Sequence, residues 1–184
     1  MIKIILDTET NGLFDCSVLS FSALILDDLN NVVDVIDRYY YRDENEEENE
    51  QALSINGLYD DVIKQKRINA KYPKHFKDDL EILELVKSAD LIICHNVAFD
   101  VKHLEKAFNV DLSNIDKYCT MRKTQYLYNA TIFKNGEPKF PKLSESLEYC
   151  GVNANDIKNK LGLDFHNSLF DVYCTLEIYK YLQK

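Results

Sequence analysis

The sequence has no uninterrupted apolar run of about 18 residues, which argues against a membrane-spanning helix. It also lacks the h-region and small-residue cleavage site of a secretory signal, because Met1-Ile2-Lys3 leads straight into the apolar stretch before Asp7. The cytoplasm is therefore the expected compartment. No C-x-x-C pair is present, and Cys16, Cys94, Cys119, Cys150 and Cys174 are odd in number and widely scattered. That pattern argues against a zinc site or a disulfide framework and predicts reduced, buried thiols. There is no internal repeat, and 184 residues suit one domain, 1–184, with a real core.

Positive charge is scarce in the first third. Residues 1–61 carry fifteen acids against Lys3, Arg38 and Arg42, whereas residues 62–184 carry sixteen acids and nineteen basic residues. The net charge of −9 argues against a polyanionic partner, but its distribution softens that argument. Between Lys64 and Lys77 lie six basic side chains and His75, with no acid. Such a block suits a phosphate backbone, and equally a solvated helix–loop face.

Apolar patterning predicts strands at 2–6, 18–26 and 32–41, the last two joined by a turn through Asp27–Asn31. The acidic run 43–50 reads as a solvated loop. A helix is predicted from Asp78 to Val86, a strand at 91–94, and a helix from Val97 to Phe108 with Val101, Leu104 and Phe108 on one face. A short strand near 115–119 leads to a helix through Leu127. Residues 134–142 read as a loop, and a helix runs from Leu143 to near Gly151. Ser168 is placed to N-cap a last helix reaching Leu182. Three strands followed by alternating strands and helices predict an α/β fold with a mixed central sheet: the first three strands antiparallel, the later ones parallel, and helices on the faces.

Within that frame four acids sit against apolar stretches, where an isolated charge is costly unless something neutralises it. Asp7 and Glu9 are two apart on a strand and project to one face at its C-terminal end. Asp100 falls in the first turn of the helix after the second parallel strand, and Asp171 in the first turn of the last helix. At the C-terminal edge of a sheet, where α/β folds favour ligands, four converging carboxylates call for hard cations such as Mg2+ or Mn2+. Two such ions roughly 4 Å apart can clamp the attacking and leaving oxygens of a phosphodiester. His166, five residues before Asp171, has the chemistry of a general base taking a proton from water. Each feature also has a plainer reading: a turn with a solvated acid, a first-turn acid favoured by the helix dipole, a capping-box partner for Ser168, or a hydrogen-bonded histidine.

The three segments Asp7-Thr8-Glu9-Thr10-Asn11-Gly12-Leu13, Asn96-x-x-Phe99-Asp100 and His166-x-x-x-x-Asp171 resemble the three motifs of the DEDD-type 3′–5′ exonucleases. That group includes the proofreading subunit of bacterial replicative polymerases, ribonuclease T, oligoribonuclease and the three-prime repair exonucleases. The His five residues before the last acid resembles the histidine subtype. Ile55-Asn56-Gly57-Leu58 and Pro141-Lys142-Leu143-Ser144 add lesser echoes, while many relatives carry Asp-Thr where this chain has Cys119-Thr120.

The resemblance implies an RNase H-like fold, with Asp7, Glu9, Asp100 and Asp171 as ligands of two divalent ions and His166 as base. It further implies a nucleotide site at Thr10, Asn11, Gly12, Leu13, Asn96 and Phe99, with Leu13 wedged against the terminal base. The implied partner is a nucleic-acid 3′ end, single-stranded DNA first and RNA next, with a possible DNA polymerase subunit docking on the domain's own surface. A ribonuclease T or oligoribonuclease activity, an endonuclease on a related fold, and a non-catalytic nucleic-acid or polymerase-binding module are the rival readings. His95 is expected to be structural, and His75 and His103 to lie on surfaces. Tyr118, Tyr126 and Tyr128 are candidates for stacking on bases or for ordinary packing.

Overall fold

The computed structural model describes residues 1–127 and 136–184; Tyr128 and the first two positions of the expected 134–142 loop lie outside the described residues. The chain order is β1 (Lys3–Thr10), β2 (Val18–Leu26), β3 (Val32–Tyr39), α1 (Glu50–Asn56), α2 (Asp60–Lys66), α3 (Leu80–Lys87), β4 (Leu91–Cys94), α4 (Val97–Phe108), β5 (Asp116–Cys119), α5 (Thr120–Thr124), α6 (Leu143–Tyr149), α7 (Ala154–Leu161) and α8 (Ser168–Leu182). The sheet order is β3-β2-β1-β4-β5. β1 pairs antiparallel with β2 and β2 with β3, whereas β1–β4 and β4–β5 are parallel. This is the mixed sheet of an RNase H-like fold.

Helices cover both faces. Ile4, Leu6, Phe21 and Ile92 pack with Ile82 and Val86 of α3 and Val101 and Leu104 of α4. Ile5, Leu24 and Ile93 pack with Val172, Leu176 and Tyr179 of α8. Fully burying each such side chain contributes about 1.5–3 kcal/mol, so these apolar contacts are a major part of what holds α8 to the sheet. Among the described residues no helix is long and apolar enough to cross a membrane. Cys94, Cys119, Cys150 and Cys174 are buried and Cys16 is half-buried, all as free thiols.

Several local expectations need correction. β1 runs to Thr10 rather than ending at residue 6, so both acids lie inside the strand. The acidic run is not a free loop: Asn49 caps α1, and the half-buried Glu46 accepts hydrogen bonds from the N–H (2.9 Å) and hydroxyl (2.5 Å) of Ser17. The helix expected from Asp78 begins only at Leu80, after a 3-10 turn, with Asp79 as its cap. Asn167, not Ser168, caps α8, its side chain accepting the N–H of Phe170 at 3.2 Å. His103 is buried rather than superficial, with Nδ1 bonded to the carbonyl of Phe99 at 2.9 Å. In the basic block, Lys77 pairs with Asp43 at 2.7 Å, and Lys74 lies 3.7 Å from Glu44.

Candidate active site

Side chains of a strand alternate between faces. Ile4, Leu6 and Thr8 of β1 therefore face α4, while Ile5, Asp7 and Glu9 face α8, where Asp171 occupies the first turn. Ligand atoms of Glu9, His166 and Asp171 all fall within 4.8 Å of one another. Asp100 reaches the same edge from the opposite face. Its Oδ1 accepts the N–H of Thr8 at 3.0 Å and the Thr8 hydroxyl at 2.9 Å.

Burial raises the pKa of all four carboxyls, and the charge of neighbouring acids adds to it for Asp7, Glu9 and Asp171. Burial, and then the charge of Asp100, pushes Glu9 up to about 7, opposed by a hydrogen bond from Asn56. Burial pushes Asp100 to about 7 against the two bonds from Thr8. Asp171 rises to about 8 through burial and then the charge of Glu9. Asp7 is held well above the usual carboxylate range by burial, followed by Asp100, Asp171 and Glu9. Buried Asp171 Oδ1 has no hydrogen-bond partner among the described residues. A buried acceptor with no donor, inside a set of four mutually repelling acids, is the chemistry of an oxygen-ligand site for a divalent cation. The residues present fit such an ion.

His166 is exposed, and its backbone has φ +64°, a left-handed conformation uncommon for a residue with a Cβ. The turn that carries it is tethered to the sheet. Ser168 Oγ lies 2.9 Å from Ser20 Oγ and 2.8 Å from Ser22 Oγ, and the Ser22 hydroxyl donates to Asp37 at 2.8 Å. Asn167 Nδ2 donates to the hydroxyl of Tyr39 at 3.3 Å.

At Glu9 opens a cavity of about 610 Å³, lined by the 8–16 segment, Phe99, and Glu46, Asn49, Ile55 and Asn56 from the segment around α1. Leu13, Phe14 and Ile55 in its lining are 69%, 73% and 57% exposed. Thr10 is buried, with its hydroxyl on the carbonyl of Gly12 at 2.5 Å. A Cβ at Gly12 would come within 3.1 Å of Asn49 Nδ2, so the loop sits close against the segment around α1. Asn11 is buried and its side chain is committed to that segment: Nδ2 donates to Glu46 at 2.6 Å and to the carbonyl of Glu47 at 2.8 Å, and Oδ1 accepts the N–H of Asn49 at 3.1 Å. Asn96 sits exposed at the N-cap position of α4, apart from the residues lining the cavity.

Reasoning from sequence passed over Glu46, Asn49 and the side chain of Asn56, which donates to the carbonyl of Thr10 at 3.1 Å as well as to Glu9. The only signal for Asn56 was the segment Ile55–Leu58, noted for its similarity and given no role. His95 Nδ1 lies 3.0 Å from the hydroxyl of Thr120 and Nε2 lies 3.1 Å from the carbonyl of Pro141. Burial lowers its pKa to about 4, so it is neutral. The carbonyl then requires the proton on Nε2, leaving Nδ1 to accept from Thr120.

A family model described as Exonuclease, of the RNase T type, matches residues 4–179. No curated protein matches the sequence. The E. coli exonuclease I crystal structure in complex with a dT13 oligonucleotide superposes with a TM-score of 0.75 at 18% identity, covering 100% of this chain and 41% of that one. A product-bound exonuclease I gives 0.72 at 17% identity, covering 99% and 43%. The zinc-bound form of the E. coli exonuclease I–single-stranded DNA complex gives 0.73 at 17%, covering 99% and 40%. The chain thus spans about two fifths of the length of these structures and shares their fold.

Proposed function

The chain belongs to the exonuclease family whose model it matches over residues 4–179, and from that premise we propose a metal-dependent 3′–5′ exonuclease that releases nucleoside 5′-monophosphates from single-stranded DNA. The observation that carries the reading is the approach of Glu9, His166 and Asp171 to within 4.8 Å, with Asp171 Oδ1 buried and unpaired among the described residues. Asp7, Glu9, Asp100 and Asp171 would hold two divalent ions, Mg2+ or Mn2+, which when bound supply Lewis-acid neutralisation of the charge that builds on the phosphate oxygens. His166 takes the proton of the attacking water; its exposure leaves the ring open to solvent and substrate. The cavity receives the terminal nucleoside, with Leu13, Ile55 and Phe99 among the side chains that would meet its base.

Single-stranded DNA is the first choice of substrate because the exonuclease I structures of this fold hold oligonucleotides of DNA. A setting in proofreading or repair, with a polymerase subunit docked on the domain's own surface, belongs to the same proposal, as does the extent of the domain over 1–184. The test is direct. The protein is incubated with 5′-labelled DNA and RNA of equal sequence, with Mg2+ or Mn2+, then with EDTA. A ladder shortening from the 3′ end, abolished by EDTA, supports the reading, and the faster ladder names the substrate. Internal cuts would point to an endonuclease, and retention without cleavage to a binding module.

A further inference from the structure

The surroundings of the site differ in charge between the β3 end of the sheet and the β5 end. On the β2–β3 flank the wall carries Glu46 and Glu47. The opposite flank, beyond β4 and β5, is basic and aromatic. β5 runs parallel to β4, itself parallel to β1, so α5 starts from the sheet edge at which Asp7 and Glu9 lie. His95 pins this flank to the base of the second motif: its ring bonds Thr120 and Pro141, and its carbonyl accepts the N–H of Met121 at 3.1 Å.

Next to those pins stand exposed Arg122, Lys123 and Lys142, together with Tyr126 at 68% and Phe140 at 43% exposure. The Arg122 guanidinium lies 5.5 Å from the centre of the Phe140 ring. Among the described residues neither Arg122 nor Lys123 forms an ion pair, whereas Lys74 and Lys77 of the other basic block face Glu44 and Asp43. On this side of the site, cations with no carboxylate partner among the described residues thus stand beside aromatic rings, Arg122 against Phe140 and Lys123 5.4 Å from the centre of the Tyr118 ring, while the hydroxyl of Tyr126 donates to Glu137 at 2.7 Å. We propose that Arg122, Lys123, Tyr126, Phe140 and Lys142 form a docking track for the single strand on the 5′ side of the scissile bond. Cations meet phosphates, ring faces take bases without regard to sequence, and the acidic wall opposite leaves one favourable direction of approach.

The track rests on the exonuclease reading, and the test separates the two. The full chain is compared with Arg122→Ala/Lys123→Ala and with Tyr126→Ala/Phe140→Ala on two substrates. One is the p-nitrophenyl ester of thymidine 5′-monophosphate, too short to reach the track. The other is a thymidine oligonucleotide of about twelve residues, long enough to span it. Both variants should hydrolyse the ester at the wild-type rate and show KM for the oligonucleotide raised roughly 10-fold, with kcat unchanged. The basic pair should also lower the slope of log KM against log salt by about 1.4, the share of two phosphate contacts on a single strand. Equal losses on ester and oligonucleotide, or no loss on either, would overturn the track. If wild type cleaves neither substrate, the exonuclease reading fails. Oligonucleotide binding by wild type and variants then decides the track alone, equal affinities refuting it and weaker variants upholding it.

Discussion

Asp100 is latched to Thr8 across 92 residues of sequence, its Oδ1 accepting both the N–H and the hydroxyl of the residue that lies between Asp7 and Glu9. The acid from α4 is thus aligned by the strand that supplies the other two. Thr8 points away from Asp7 and Glu9, toward α4, so the strand's alternation gives it the opposite task.

Replacing Thr8 by Val keeps the shape and the backbone bond but removes the hydroxyl donor. A hydrogen bond to a charged group contributes about 1.5–3 kcal/mol, so kcat should fall roughly 10- to 100-fold with KM little changed. Thr8→Ser should recover most of the rate. A Val variant with wild-type kcat would make the latch dispensable.

Metal-free protein should lose stability as pH rises. In the unfolded chain these acids titrate near 4. In the fold Glu9 and Asp100 stand at about 7 and Asp171 at about 8. The native state therefore holds more protons between those values, and stability present at low pH is lost as pH climbs from about 4 to about 8. Thermal melts in EDTA should give a lower Tm near pH 8 than near pH 6. Mg2+ or Mn2+ should restore it, and Asp171→Asn should flatten the slope. A Tm flat across that window would refute the electrostatic account.

His166→Ala should slow cleavage roughly 10²–10⁴-fold if the imidazole is the base. Because the ring is exposed, its loss should leave Tm nearly unchanged. A rate within a factor of a few of wild type would remove His166 from that role.

Glu46 ties the acidic wall to the first motif through Ser17 and Asn11. Glu46→Ala leaves the N–H and hydroxyl of Ser17 without their acceptor and Asn11 Nδ2 with only the carbonyl of Glu47. The expected cost is about 2–3 kcal/mol, read as a Tm lower by roughly 4–12 °C, with KM raised more than kcat is lowered. Unchanged KM would show that the wall does not shape the substrate site.

The elements legible in the sequence are those with a continuous apolar stripe. α4 has the predicted bounds because Val101 and Leu104 recur on one face and are buried. The helices α1, α2 and α7 are harder to read because they are short and bury little: α1 buries only Leu53, α2 only Ile63, and α7 nothing fully. Of the site, the alternation of Asp7 and Glu9 and the first-turn places of Asp100 and Asp171 were readable because they are local. The Thr8 latch, the Asn56 contact with Glu9 and the burial of His103, whose Nε2 lies 3.7 Å from Cys16 Sγ, were not, since each depends on a partner distant in sequence. Ser168 looked like a cap for the same reason. Its hydroxyl is taken by Ser20 and Ser22, and the cap passes to Asn167.

The docking of α8 across β1 and β2 carries a consequence for synthesis. Asp7 and Glu9 leave the ribosome early, yet Asp171 arrives on the helix translated last among these elements, with His166 in the turn just before it. Until that helix settles on the sheet, the first acids have no partner to complete the cluster. A chain that ends before α8 should therefore lack the completed cluster and, on the proposed function, show no cleavage, so that activity would wait for the fold to close.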